Sequence, residues 1–173
     1  IDIIILNHGI NTQGKQSYDD INTSLEVNAL SVWRFMELFE RVSNKRDKEV
    51  KNREIWVNTS EAEIQPALSP SYEISKRLAG QLVSIKRTSL FNSSNSCLNI
   101  RKIILGPFKS ELNPIGIMNA DNVAKEIIKL AELNRNIIIV SPNPITYILI
   151  PINELLRVFY YRLTSTLNNS KEK

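Results

Sequence analysis

The sequence predicts an α/β fold built on a doubly wound parallel sheet with helices on both faces. Three observations carry this. Short, β-branched apolar runs recur along the chain. Helix-length stretches with apolar residues three and four apart lie between them. Gly, Pro and polar clusters separate the two kinds of segment. Strands that alternate with helices of this length pair in parallel, because each crossover helix returns the chain to the same end of the sheet.

The first strand is Ile3-Ile4-Ile5-Leu6, short and continuous, as a strand buried on both faces reads. Asn7-His8-Gly9 ends it, and residues 10–20 read as a polar loop. A helix is expected from about Asn22, capped by Asn22 or Thr23 with Glu26 behind. Its broad apolar face holds Val27, Leu30, Trp33, Phe35, Met36, Leu38 and Phe39. The mixed charge run from Lys45 to Arg53 reads as a solvated loop. Residues 54–59 form the second strand. A loop with Pro66 and Pro70 leads to a helix over 71–87, and residues 88–96 read as loop. The third strand spans 98–105 and stops at Gly106-Pro107. A loop follows over 106–118, then a helix over 121–133, a fourth strand over 136–140 and a last helix over 152–167.

The 173 residues suit one domain, here 1–167, with 168–173 as a disordered tail. With 42% hydrophobic and 23% charged residues, the chain has enough apolar material for a core. Cys97 is the single cysteine and His8 the single histidine, which excludes a disulfide scaffold and Cys/His zinc sites. The net charge of +4, with no dense basic stripe, does not point to nucleic acid. No run approaches the ~20 apolar residues that span a bilayer. A chain that opens on Ile1 with no basic n-region reads as one that begins mid-protein.

In a parallel sheet of this kind, ligands bind beyond the carboxyl ends of the strands. The positions to inspect are therefore Asn7 to Gly9, Ser60, Gly106 to Ser110, and Pro142-Asn143. Tyr72 and Lys76, four apart, share one face of a helix. A phenol titrates near ~10, and an ammonium beside it favours the phenolate, so the pair suits general acid/base chemistry. Alone, the spacing also fits an ordinary surface pair. Ser60, just past a strand end, can reach a substrate oxygen or simply cap a turn. Asn28, a polar amide within an apolar helix face, can serve the site or bond its own backbone.

Together these segments resemble the short-chain dehydrogenases/reductases. Residues 1–10, ending Leu6-Asn7-His8-Gly9-Ile10, are similar to that family's strand closing in Asn-Ala-Gly. Leu25-Glu26-Val27-Asn28 is like its helix asparagine motif. Ile55-Trp56-Val57-Asn58-Thr59-Ser60 and Ser69-Pro70-Ser71-Tyr72-Glu73-Ile74-Ser75-Lys76 are like its serine strand and Tyr-x-x-x-Lys helix. Ile104-Leu105-Gly106-Pro107-Phe108-Lys109-Ser110 is like its Pro-Gly-x-x-x-Thr loop. The resemblance implies a Rossmann-like fold and an NAD- or NADP-dependent oxidoreductase interconverting an alcohol and a carbonyl. It implies that Tyr72 moves the proton, Lys76 holds the nicotinamide ribose and lowers the Tyr72 pKa, Ser60 positions the substrate oxygen, and Asn28 supports a proton-relay water. It further implies that Asn7, His8 and Gly9 line the adenosine side. Gly106, Pro107, Phe108 and Ser110 wrap the nicotinamide and pyrophosphate end.

The chain departs from the family at His8, in place of a small residue, at Leu105, in place of proline, and at Ser110, in place of threonine. The glycine-rich phosphate turn is not matched, so the chain is expected to be the C-terminal portion of the fold, short by about two βαβ units of roughly 30 residues. Two alternatives stay open. One is a sugar-nucleotide epimerase or dehydratase on the same scaffold, against which the short stretch 88–120 argues. The other is a non-catalytic cofactor-binding or scaffold relative. The apolar loop from Glu111 to Met118 favours a hydrophobic small-molecule substrate. The family implies a dimer or tetramer. A cytoplasmic protein is expected, and the apolar C-terminal stretch 145–161 is a candidate for membrane-surface contact.

Overall fold

The structure, a computed structural model, describes residues 2–45, 53–92 and 98–169. Among them, β1 (Ile3–Leu6), β2 (Arg53–Ser60), β3 (Leu98–Leu105) and β4 (Ile137–Val140) form one parallel sheet in the order β1-β2-β3-β4. The helices are α1 (Tyr18–Leu25), α2 (Ser31–Lys45), α3 (Pro70–Asn92), α4 (Ala120–Glu132) and α5 (Thr146–Asn169).

Alternation along the strands assigns the two faces. Ile55 and Val57 of β2, with Leu98 and Ile100 of β3, pack against Val32 and Met36 of α2 and Val83 and Leu90 of α3. Ile103 and Leu105 of β3, with Ile138 and Val140 of β4, pack against Val123 and Ala131 of α4. The sheet is covered on both faces, as the sequence predicts. Strand order rises steadily while α4 lies opposite α2 and α3, so the crossover through α4 has the opposite hand to the two before it.

Four expectations change. First, β1 is not buried on both faces: Ile3 and Ile5 are 48% and 55% exposed. It is the edge of the described sheet, and α4, on the face that carries those residues, packs against β4. Second, the first helix starts at Tyr18, not near Asn22. Ser17 Oγ accepts from the Asp20 backbone N–H and donates to its carboxylate, closing the amino end. Third, α3 runs on to Asn92. Thr88 bonds back to the Ser84 carbonyl, and Leu90, seven residues after Val83, extends the buried stripe. Fourth, α5 begins at Thr146, with Pro151 inside it, and reaches Asn169.

Arg53, expected in the charged loop, instead opens β2 and is buried. The rest of that run (46–52), Cys97 and residues 170–173 lie outside the described residues.

Candidate active site

A cleft of about 360 Å³ opens at the carboxyl ends of β1, β2 and β3. Asn7, His8, Gly9, Ser60, Tyr72, Lys76, Gly106, Pro107, Phe108 and Ser110 all line it. Ten of the candidate residues, drawn from four separate segments, therefore converge on one cavity. Asn28 is not in its wall, and neither is Pro142-Asn143. Pro142 and Ser141 sit behind Gly106 instead, and Asn143 bonds Gln65.

Asn28 lies one layer back and is almost fully buried. It sits in a π-helical segment, Glu26–Leu30, that joins α1 to α2 without a break. The wider turn carries the amide into the core. Asn28 accepts from the Ile10 N–H (2.8 Å) and donates to the Ile10 carbonyl (2.9 Å) and to Ser75 Oγ (2.9 Å). It thus clamps the chain beyond Gly9 rather than bonding its own helix. At Gly9 a Cβ would stand 3.1 Å from Asn28 Oδ1 and 3.7 Å from Lys76 Nζ. Glycine there keeps the path to the ammonium open.

Tyr72 and Lys76 occupy the first turns of α3, with Lys76 Nζ 5.6 Å from the phenol ring centroid. Lys76 is buried, and among the described residues its ammonium donates no hydrogen bond. Burial lowers its pKa to about 8, against the pull of the Glu63 carboxylate. Tyr72 moves the other way. Burial pushes the phenol above its ordinary value, the Ser60 hydroxyl offsets part of that, and the Glu61 carboxylate adds to it. The expected depression of Tyr72 is not found, because burial is the largest influence on the phenol and the Glu61 carboxylate acts in the same direction.

Ser60 takes the capping role expected of it and also borders Tyr72. Its Oγ accepts from the Ala62 N–H, capping the 3₁₀ turn Glu61–Glu63, and the same side chain faces Tyr72. His8 accepts or donates through Nε2 to Ser31 Oγ (2.6 Å) and meets Phe35 edge-on at 5.8 Å. Burial, and then the Lys76 charge, push its pKa down. The Ser110 hydroxyl accepts from the Asn113 N–H, and Phe108 pairs along its backbone with Met118. The loop after β3 is thereby closed into a wall.

Sequence reasoning missed Asn58, which lines the cleft and donates to Asn7 Oδ1 (2.6 Å), and Glu61, which acts on Tyr72. Both adjoin Ser60, so their position at a strand end was the available signal. Among the described residues no cluster of His, Cys, Asp and Glu could hold a metal ion. A larger apolar hollow, about 540 Å³, lies at the amino ends of β3 and β4, away from these groups.

The fold has counterparts among solved structures. Serine dehydrogenase from Escherichia coli superposes with a TM-score of 0.65 at 19% identity, over 84% of this chain and 65% of that one. A short-chain dehydrogenase from Sphingobium yanoikuyae in complex with NADPH gives 0.64 at 16% identity, over 83% and 58%. This is the short-chain dehydrogenase/reductase fold. An alcohol dehydrogenase from Thermococcus sibiricus complexed with 5-hydroxy-NADP shares it, with a TM-score of 0.59 at 18% identity, over 82% and 62%. In sequence, the chain is 45% identical over 162 residues to a monoglucosyldiacylglycerol epimerase from Synechocystis sp.. That match takes in 94% of this chain and 38% of the relative, so the chain spans well under half of that protein's length. No protein-family model matches. On the short-chain dehydrogenase fold, the cleft of this chain lies where the strand ends and the Tyr-x-x-x-Lys helix meet.

Proposed function

We propose that this chain carries the catalytic groups of an NAD- or NADP-dependent enzyme that interconverts a CH–OH group and a carbonyl. The observation that carries the reading is Lys76: a largely buried lysine whose ammonium meets the open cleft beside Tyr72 and has no hydrogen-bond acceptor among the described residues. An unpaired buried cation is costly, and it persists where a ligand's oxygens will satisfy it. Ribose hydroxyls of a dinucleotide fit, because Gly9 leaves the approach to Nζ open. Lys76, Asn7, Gly9 and the Gly106–Ser110 wall would hold the group. It supplies or accepts a hydride, chemistry that side chains lack.

The protein's own residues do the rest. Burial keeps the Tyr72 phenol protonated at neutral pH, ready to donate its proton to a carbonyl oxygen as that oxygen becomes a hydroxyl. In the reverse direction it takes the hydroxyl proton, and the Lys76 charge stabilises the phenolate. Ser60 holds the same substrate oxygen by a hydrogen bond. Asn28, through Ile10 and Ser75, fixes the segment beyond Gly9 and the turn of α3 that carries Lys76. Apolar residues at the cleft mouth, Leu68, Leu112, Ile115 and Ile117, favour a hydrophobic substrate. Exposed Leu30 in the π segment, Phe35 and Leu38 of α2, and Ile74 of α3 suit a homo-oligomer.

The Synechocystis relative favours a second reading with the same chemistry and a different net result. Oxidising a sugar CH–OH to a ketone, then reducing it from the opposite face, inverts that carbon. The substrate class is then a glycosylated diacylglycerol, and the cofactor ends as it began.

The test is turnover by the full-length protein with NADPH and carbonyl compounds, and with a glucosyl diacylglycerol plus catalytic NADP. Tyr72→Phe should lower either turnover by roughly 10²- to 10⁴-fold while NADPH still binds. Unchanged turnover in Tyr72→Phe would overturn the mechanism. Inversion without net cofactor consumption selects the epimerase reading.

A further inference from the structure

We propose that α5 docks the protein on a lipid bilayer surface, its outward face lying among the headgroups. The choice of a bilayer rests partly on the lipid-substrate reading above; the geometry of the helix stands apart from it.

Helix α5 is turned inside out. Its inward positions are Thr146, Ile150, Glu154 and Arg157, three of them polar. Its outward positions are Ile148, Ile152, Leu155, Leu156 and Phe159, spaced as one helical stripe, with Leu155 70% and Phe159 64% exposed. A surface helix ordinarily shows the reverse. The helix cannot rotate to bury the stripe, because its polar side is tied down. Glu154 accepts from Lys102 Nζ (2.9 Å) and Ser84 Oγ (2.7 Å). Thr146 accepts from Gln65 (2.7 Å) and donates to Glu61 (3.2 Å). The apolar side therefore faces out by construction, in a continuous patch of the kind that marks an interaction surface.

Three features select a bilayer. The first is charge: the chain carries +4, and residues 158–173, beyond the inward Arg157, hold three basic residues against one acidic, which complements anionic headgroups. The second is continuity with the cleft. Glu61 and Gln65, which pin the first turn of α5, belong to the segment that runs on to Leu68 at the cleft mouth. Leu68 is 90% exposed, and Ile115 and Ile117 beside the same cleft are also exposed. A lipid held at α5 would thus meet an apolar lip leading toward Tyr72. The third is the form of the helix. Its 24 residues reach about 36 Å, yet no helix among the described residues is long and apolar enough to cross a membrane. A helix with one apolar face and low net hydrophobicity lies in the interface plane with that face among the headgroups.

The experiment is co-sedimentation of the full-length protein with phosphatidylcholine vesicles, with and without anionic phosphatidylglycerol. Wild type should bind the mixed vesicles, and added salt should weaken that binding. Leu155→Gln/Phe159→Gln should bind at least about tenfold less, with an unchanged circular dichroism spectrum. Ile128→Gln, on exposed α4, should match wild type. If the double variant does not fold, an environment-sensitive dye on Leu155→Cys, in a Cys97→Ser background, should shift to the blue on vesicles. No vesicle binding by wild type overturns the proposal, as does equal binding by the folded double variant or an unshifted dye. Self-association abolished by the double variant, without vesicle binding, overturns it in favour of a second copy. NADPH binding, measured in parallel, separates the two readings: intact binding with no vesicle affinity removes docking alone, and vesicle affinity without NADPH binding removes the catalytic reading alone.

Discussion

Lys76 and Lys102 are both buried in this domain, and they sit in opposite surroundings. Lys102, on β3, is fully buried, and its three N–H groups are shared among four acceptors: Glu63 (2.6 Å), Glu154 (2.9 Å), Ser84 Oγ (3.1 Å) and the Gly80 carbonyl (3.1 Å). Arg87 and Arg157 close the same network. Burial pushes the Glu154 carboxyl up, but Lys102, Ser84 and Arg87 outweigh it and hold the group below its ordinary value. Lys76 is buried at a cavity wall with the Tyr72 ring as its near neighbour and no acceptor among the described residues. Burial alone thus does not mark function: a saturated cation ties elements together, and an unsaturated one at a cavity is poised for a ligand.

The largest effect should come from Lys102→Met. It strands two buried carboxylates, and the loss should be about 3–5 kcal/mol, read by chemical denaturation. A loss under about 1 kcal/mol would show the network to be dispensable and blur the comparison. Gly80→Ala should disturb the same network, since a Cβ there would fall 2.0 Å from the Glu63 carboxylate. That carboxylate, held by Lys102, has little room to yield.

Lys76→Met should do the reverse. A fall in pKa from 10.5 to about 8 means the charged form is disfavoured in the folded state by about 3 kcal/mol. The variant should be more stable by up to that amount while losing NADPH affinity.

The pH dependence sharpens the point. The unfolded lysine stays protonated up to about 10.5, and the folded one loses its proton near 8. The unfolded state therefore binds more protons between those values, and wild-type stability rises with pH there. The stability gap to Lys76→Met is full below about 8 and closes toward 10.5. NADPH affinity should fall as pH rises through about 8, where the ammonium discharges. The smallest effect is Ser84→Ala, which removes one hydroxyl from the Lys102 network and should cost about 1 kcal/mol.

How much of this was legible depended on how local each signal is. The strands over 53–60, 98–105 and 137–140 announce themselves as β-branched runs, and Tyr72 and Lys76 are four apart on one helix. The Lys102 network was not legible. Its partners Glu63 and Glu154 stand 39 and 52 residues away, and nothing in a linear pattern pairs them. The only hint was a lysine within a strand that is otherwise mostly apolar, with Asn99 and Arg101 as its other polar residues. Asn28 was picked out, but its role was not, since its partner Ile10 is fixed by the fold rather than by the helix. The helix boundaries failed at Ser17, whose cap was read as loop, and at Pro151, which α5 accommodates in its second turn.

The most direct test of the contrast is the melting temperature of the full-length protein and its Lys76→Met variant, each with and without NADPH, near pH 7. Without ligand the variant should melt above wild type, and NADPH should raise wild type while leaving the variant almost unmoved. A variant that melts below wild type without ligand, and gains as much from NADPH, would contradict the account.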